Sequence, residues 1–68
     1  MSIKVTVVVQ KEDDWYVAKC LENSVVSQGK SIEESMDNLR EALELYYENT
    51  IPESVYVPTF VTTMEVAL

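Results

Sequence analysis

The sequence predicts a single α+β domain in which one helix packs on one face of a four-stranded mixed sheet. Three short runs rich in β-branched residues come first, an amphipathic stretch follows at 31–48, and a last alternating run lies at 59–66. With 68 residues, 47% of them hydrophobic, the chain suits one globular domain spanning 1–68. A domain of this size buries little surface, which favours additional burial in an oligomer.

The first three strands are predicted at 2–10, 15–20 and 25–28. Short polar turns join them, so they are expected to form antiparallel hairpins. Alternation along the second strand places the small residues Ala18 and Cys20 on the face that receives the helix.

The helical stretch has recognisable ends. Gly29 interrupts the preceding strand, and Ser31 with Glu34 has the spacing of a capping box. Pro52 disfavours helix at the residue before it, so the helix is expected to end near 49–50. Apolar residues recur at intervals of three and four, which predicts one face packed on the sheet. That face comprises Ile32, Met36, Leu39 and Leu43.

The opposite side of the helix carries a row of carboxylates, which we call the acidic face. Its members are Glu33, Asp37, Glu41, Glu44 and Glu48, and Arg40 is the only base in the helix. Like charges four residues apart cost roughly 0.2–0.5 kcal/mol per pair in an isolated helix, so this face is not arranged for helix stability. We interpret it as a docking surface for a basic partner; the alternative is a solvated face that confers solubility. The turn at Asp13 and Asp14 is a second candidate for the same contact.

Beyond the helix, the sequence predicts a loop at 51–54, an extended stretch at 55–57 that ends at Pro58, and a last strand at 59–66. A right-handed crossover through the helix would place this strand in the sheet parallel to an earlier one. The sheet face without the helix then stays uncovered, which predicts a homodimer or higher oligomer. Its expected interface residues are Trp15, Val17 and Val61.

Composition argues against several classes of function. The net charge is −7 and the five bases are scattered, so direct binding to nucleic acid is not expected. One cysteine and no histidine provide neither a zinc cluster nor a Cys–His nucleophile, and we predict a binding protein with no cofactor rather than an enzyme. No export signal and no apolar run of the ~20 residues needed to span a membrane are visible, which predicts a cytoplasmic location without membrane contact.

Several stretches carry a family resemblance, and the most specific is the Ser-Gln-Gly turn at 27–29 leading into the Glu-Glu helix start at 33–34. The others are Tyr16-Val17-Ala18, Cys20, Glu22, Val25-Val26, 31–35, 38–48, Phe60-Val61-Thr62 and Glu65-Val66-Ala67. Together they resemble the HicB-like antitoxin family over most of the chain. Members of that family often have proline where this chain has Leu21, which changes a turn.

The resemblance implies a partial ribonuclease-H-like fold, with three antiparallel strands, one helix and a fourth strand parallel to the first. It also implies an antitoxin that binds and neutralises a small basic HicA-type toxin, which cleaves mRNA. Family members often carry a C-terminal DNA-binding domain. This chain ends at Leu68, so the resemblance is to a short, stand-alone member.

Two other functions stay open at this stage. One is an oligomeric protein-interaction module without a toxin partner. The other is a degenerate ribonuclease-H-like nuclease, whose chemistry needs clustered carboxylates around two metal ions. The stretch from Ile3 to Val9 contains no acid, which disfavours the nuclease. A small basic gene beside this one would favour the antitoxin over the interaction module.

Overall fold

The computed structural model describes residues 2–48 and 57–68. Strands β1 (Val7–Glu12), β2 (Trp15–Cys20) and β3 (Val26–Gly29) precede one helix, α1 (Ile32–Tyr46). The strands form an antiparallel sheet in the order β1-β2-β3, and α1 packs on one face of it. The architecture is therefore α+β, as the sequence predicts, but the described residues form a sheet of three strands rather than four.

The prediction of a fourth strand at 59–66 is wrong. Residues 57–68, which we call the C-terminal segment, contain no strand, and every one of them is exposed. The four-stranded mixed sheet and the partial ribonuclease-H-like fold, which requires that strand, are corrected accordingly. Alternation of apolar and polar residues indicates that a segment suits a pleated surface. The segment becomes a strand only where a neighbouring backbone pairs with it. The predicted helix end near 49–50 is also wrong, because α1 ends at Tyr46 with Tyr47 as its C-cap. The predicted loop at 51–54 and the first residues of the extended stretch at 55–57 lie outside the described residues.

The boundary of the first strand differs most from the prediction, because β1 begins at Val7 rather than at Ser2. The second strand is confirmed, whereas β1 begins and ends later than predicted and β3 is shifted by one residue. The Leu21 N–H donates to the Thr6 carbonyl at 2.9 Å, so backbone pairing extends one residue before the start of β1. Asp13 and Asp14 form a two-residue loop between the paired residues Glu12 and Trp15. Asp13 has φ +54°, a left-handed conformation that aspartate tolerates better than most residues.

The core is small and lies between α1 and one sheet face. Ala18 and Cys20 have no exposed surface, and Leu39 of α1 is 2% exposed. The predicted placement of the two small residues beneath the helix is therefore confirmed. Half-buried apolar residues surround this centre, namely Val5, Val7, Val9, Val25 and Leu43.

Gly29 sets how closely the helix approaches the sheet. A Cβ atom placed on it would lie 2.6 Å from the Ser35 backbone nitrogen and 2.8 Å from the Glu34 carbonyl carbon. Ser35 is fully buried, and its hydroxyl donates to the Ile32 carbonyl at 2.8 Å. The first turns of α1 therefore contact β3 through backbone atoms, without an intervening layer of side chains.

The face of α1 that packs on the sheet is rotated relative to the predicted one. Leu39 is buried and Leu43 half-buried as predicted, but Ile32 is 49% exposed and Met36 is 43% exposed. The close approach at Ser35 explains the difference, because it brings that residue to the centre of the contact.

The predicted N-cap is confirmed, since the Ser31 hydroxyl oxygen accepts the Glu34 N–H at 3.0 Å. The reciprocal hydrogen bond of a capping box, in which the Ser31 N–H donates to the Glu34 carboxylate, is not present among the described residues.

Replacing Gly29 with alanine should destabilise the protein. The added methyl group meets backbone that cannot rotate away, and overpacking of this kind typically costs about 1–3 kcal/mol. Urea unfolding followed by circular dichroism measures the change. Gln28→Ala is the matched control, because it alters an exposed side chain beside Gly29 and should leave the free energy of unfolding almost unchanged. Equal stability of the two variants would contradict the close approach.

Leu39 and Met36 provide a second comparison. Their helical spacing suggests that both are buried, but in the structure Leu39 is buried and Met36 is exposed. Leu39→Ala should lower the free energy of unfolding by about 2–5 kcal/mol, since it empties the centre of the core. Met36→Ala should cost less than about 1 kcal/mol, because its side chain already contacts water. Thermal melts of the two variants test this order, and a reversed order would refute the observed rotation of α1.

Candidate protein-binding surfaces

The acidic face lies on the side of α1 that points away from the sheet. All five of its carboxylates are exposed, and Glu33 lies in the first turn of the helix. No lysine or arginine nitrogen comes within 4.0 Å of them in the parts of the chain that the structure describes. The last turn of α1 also lacks a basic residue. No basic side chain among the described residues therefore neutralises the negative charge of this face.

Exposed apolar side chains border the acidic face. Ile32 and Met36 lie along one side of it, and Leu45, 69% exposed, lies along the other. Interfaces commonly combine a charged surround with desolvated apolar contacts. Tyr47 is less available for such a contact, because it is half-buried and its hydroxyl oxygen accepts the Asn23 side-chain N–H at 3.0 Å.

The acidic hairpin turn and the start of α1 lie at the same end of the sheet. Asp13 and Asp14 directly precede β2, and Tyr16 near the start of β2 pairs with Gly29 at the end of β3. The helix begins shortly after Gly29, so the two acidic surfaces predicted from the sequence approach one another at this end. Within residues 2–48 and 57–68, no cluster of acids and cysteine is arranged to hold a metal ion.

The sheet face opposite α1, which we call the open face, is partly apolar. Trp15 is 40% exposed, Val26 is 52% exposed, and Val17 is half-buried. The Lys30 amine lies 5.1 Å from the centre of the Trp15 ring, a cation–π contact at the edge of this face. Val61 was predicted to join Trp15 and Val17 there, but it lies in the C-terminal segment and is 59% exposed. The proposed oligomer residues therefore belong to two separate places.

Glu22 forms a hydrogen-bond cluster that the sequence did not indicate. One carboxylate oxygen accepts the Thr6 N–H at 2.7 Å, the other accepts the Thr6 hydroxyl at 2.8 Å, and the Cys20 thiol approaches at 3.7 Å. The Thr6 backbone N–H is the main reason that the pKa of Glu22 lies below its usual value, and partial desolvation opposes this effect. The cluster fixes the residues before β1 to the turn after β2. No local sequence pattern predicts this cluster, because Thr6 and Glu22 are 16 positions apart.

Cys20 has no surface from which it could act as a nucleophile. Its thiol is free but fully buried, and its polar neighbour is a carboxylate that already accepts two shorter hydrogen bonds. The residue packs as a small apolar group in the core.

The chain has no match among known proteins in three comparisons. A scan against protein-family models found none, and searches of curated proteins and of solved structures also found none. A separate observation concerns membranes: no helix in the described ranges has the length and apolar character needed to cross one.

Substituting Glu22 with glutamine should change how stability depends on pH. Because folding lowers the pKa of Glu22 below its ordinary 4.5, its contribution to stability is fully present above that value and is lost as the pH falls through the lower folded-state pKa. The wild type should therefore be more stable than Glu22→Gln at neutral pH, and the difference should shrink in acid. Urea unfolding at a series of pH values measures it.

Glu44→Gln is the matched control, since it removes an exposed carboxylate on the acidic face. A pH-independent difference between the wild type and Glu22→Gln would show that the carboxylate charge is not what Thr6 recognises.

Proposed function

We propose that the protein is a cytoplasmic, antitoxin-like binding protein that neutralises a small basic RNA-cleaving protein of the HicA type. The observation that carries the proposal is the acidic face, whose five carboxylates are exposed and have no basic partner in the described residues. The resemblance to HicB-like antitoxins supplies the class of partner.

The arrangement of charge suits competition with RNA. Members of the row spaced three or four residues apart are neighbours along one side of a rigid helix, with about 5–6 Å between their Cβ atoms. Such a row offers lysine and arginine side chains an extended negative charge, as a phosphate backbone does. The field of an acidic domain accelerates encounter with a basic partner, whereas buried apolar contacts slow dissociation. Met36 and Leu45 are exposed beside the row and could supply those contacts.

Binding of a cationic partner would also relieve repulsion within α1. Glu33 and Glu41 each lie four residues from Asp37 in α1, and Glu44 lies four residues before Glu48, which is in the turn after the helix. A partner that neutralises these pairs stabilises the folded helix through the free energy of binding. The helix is thus expected to be more stable in the complex than in the free protein.

A second candidate function is a stand-alone oligomeric interaction module. The observation that favours it is the open face, where Trp15 and Val26 are substantially exposed on a domain with a small core. This function needs no toxin.

Association with the product of a neighbouring small basic gene tests the antitoxin proposal. Stopped-flow measurements should show an association rate that falls steeply as salt increases, because screening weakens the attraction between exposed charges. Glu41→Lys combined with Glu44→Lys should slow association by about tenfold or more. Glu41→Gln with Glu44→Gln should have a smaller effect in the same direction.

The hairpin provides the matched comparison. Glu12→Lys with Asp14→Lys makes the same change in net charge at the other acidic surface. If the acidic face makes the contact, this variant should alter the rate much less than the helix variant. An association rate that responds neither to salt nor to the helix substitutions would refute docking through the acidic face.

A further inference from the structure

The C-terminal segment exposes a large apolar surface. Phe60 is 86% exposed, Met64 is 83% exposed and Val66 is 65% exposed, and none of them belongs to the core around Leu39. Exposure of several large apolar side chains in one short stretch is a usual mark of a contact surface.

The same segment has the composition of a β-strand. Residues 59–66 include five β-branched residues, one charged side chain, and neither glycine nor proline. In an extended conformation, Phe60, Met64 and Val66 would share one face, because alternate residues point to the same side. The only hydrogen bonds described within the segment run from the hydroxyls of Thr59 and Thr62 to carbonyls of the segment itself. Its backbone groups are therefore available for pairing.

The outer edge of β1 is a matching acceptor. Thr6 receives a hydrogen bond from the Leu21 N–H, so its backbone faces β2. Residues of an antiparallel strand alternate in this respect, so Val5, Val7 and Val9 direct their N–H and C=O groups away from β2. In the described part of the chain, β1 pairs with β2 alone. Residues 5–9 of this edge include neither proline nor a charged side chain, which are features that commonly protect sheet edges.

The other edge of the sheet is less suitable. Strand β3 has four residues, and its Gln28 carbonyl already accepts a hydrogen bond from the Asn38 side chain at 2.8 Å. Gly29 at its end lies against the first turns of α1. Among the described residues, β1 therefore provides the longer unpaired edge of the sheet.

We propose that residues 59–66 of one copy pair with the outer edge of β1 in a second copy, and that the exchange is reciprocal. The radius of gyration is 13.8 Å, whereas a compact chain of 68 residues has about 11 Å. The longest dimension, 47 Å, also exceeds the roughly 22 Å length of the fifteen-residue helix. The segment thus lies outside the compact body, where a second copy can reach it.

A two-fold symmetric dimer satisfies both segments and both edges at once. Each sheet gains a fourth strand, which the partner supplies. Glu65 is the only charged side chain of the segment, so the paired strand itself adds little repulsion between two chains that each carry a net charge of −7. The inference is independent of the proposed antitoxin function.

Sedimentation equilibrium of the full chain at micromolar concentration is the first test. The wild type should be a dimer, and Phe60→Asp should raise its dissociation constant by about tenfold or more, because it places a charge in the paired strand. Leu68→Asp is the matched control, since it makes the same kind of change at an exposed residue beyond the paired run. A monomeric wild type, or a dimer that Phe60→Asp does not weaken, overturns the proposal.

Amide hydrogen exchange measured by NMR tests the pairing itself. The N–H groups of Val5, Val7 and Val9 should exchange slowly in the wild type and rapidly in Phe60→Asp. The Val8 N–H, which points toward β2, should stay protected in both proteins and thereby shows that the variant remains folded. Slow exchange of the outward amides in a monomer would mean that the segment pairs with its own β1, and this result also overturns the exchange.

Discussion

The contact between Gly29 and the first turns of α1 fixes the distance between the two layers of this protein. There is no room for a Cβ atom at that point, so the helix backbone lies directly on the end of β3. Ala18, Cys20 and Ser35 follow from the same constraint, because only small side chains fit between layers that approach so closely. Leu39 is the one large side chain among the described residues that is almost completely buried. A core built in this way is well packed but small.

Because the core is small, many apolar side chains of the domain stay exposed or half-buried. The side chains of Val5, Val7 and Val9 are only half-buried at the edge of the sheet, and the open face presents Trp15 and Val26. The C-terminal segment adds further apolar residues that contribute nothing to the core. Chains of this length commonly gain stability from oligomerisation, and the distribution of exposed apolar surface indicates where this chain would do so.

The acidic face and the outer edge of β1 lie on different sides of the domain. The acidic face of α1 points away from the sheet, while the edge of β1 around Val7 is apolar. A partner with basic residues and a second copy of the chain can therefore use different sides of the domain. The Glu22 cluster serves another purpose, since it uses a carboxylate to hold the residues before β1 in line with the rest of the strand. That alignment determines which backbone groups the edge presents.

The sequence by itself determined the local elements. β-branched alternation predicted three strands, Ser31 marked the helix start, and the spacing of Glu33, Asp37 and Glu41 placed the carboxylates on one side of α1. These features depend on neighbours within a few positions, so a pattern can reveal them. The same reasoning placed Asp13 and Asp14 together in a turn.

Only the tertiary structure decided which neighbours these elements have. Alternation at 59–66 predicted a strand but could not specify its pairing partner, and the predicted fourth strand is not part of the sheet. Helical spacing placed Met36 in the packed face, but the close approach at Gly29 turned the contact toward Ser35. The bond between Glu22 and Thr6 spans 16 positions and has no local signature. In each case the outcome depends on how closely distant parts of the backbone approach, and that distance is a property of the assembled layers rather than of any single segment.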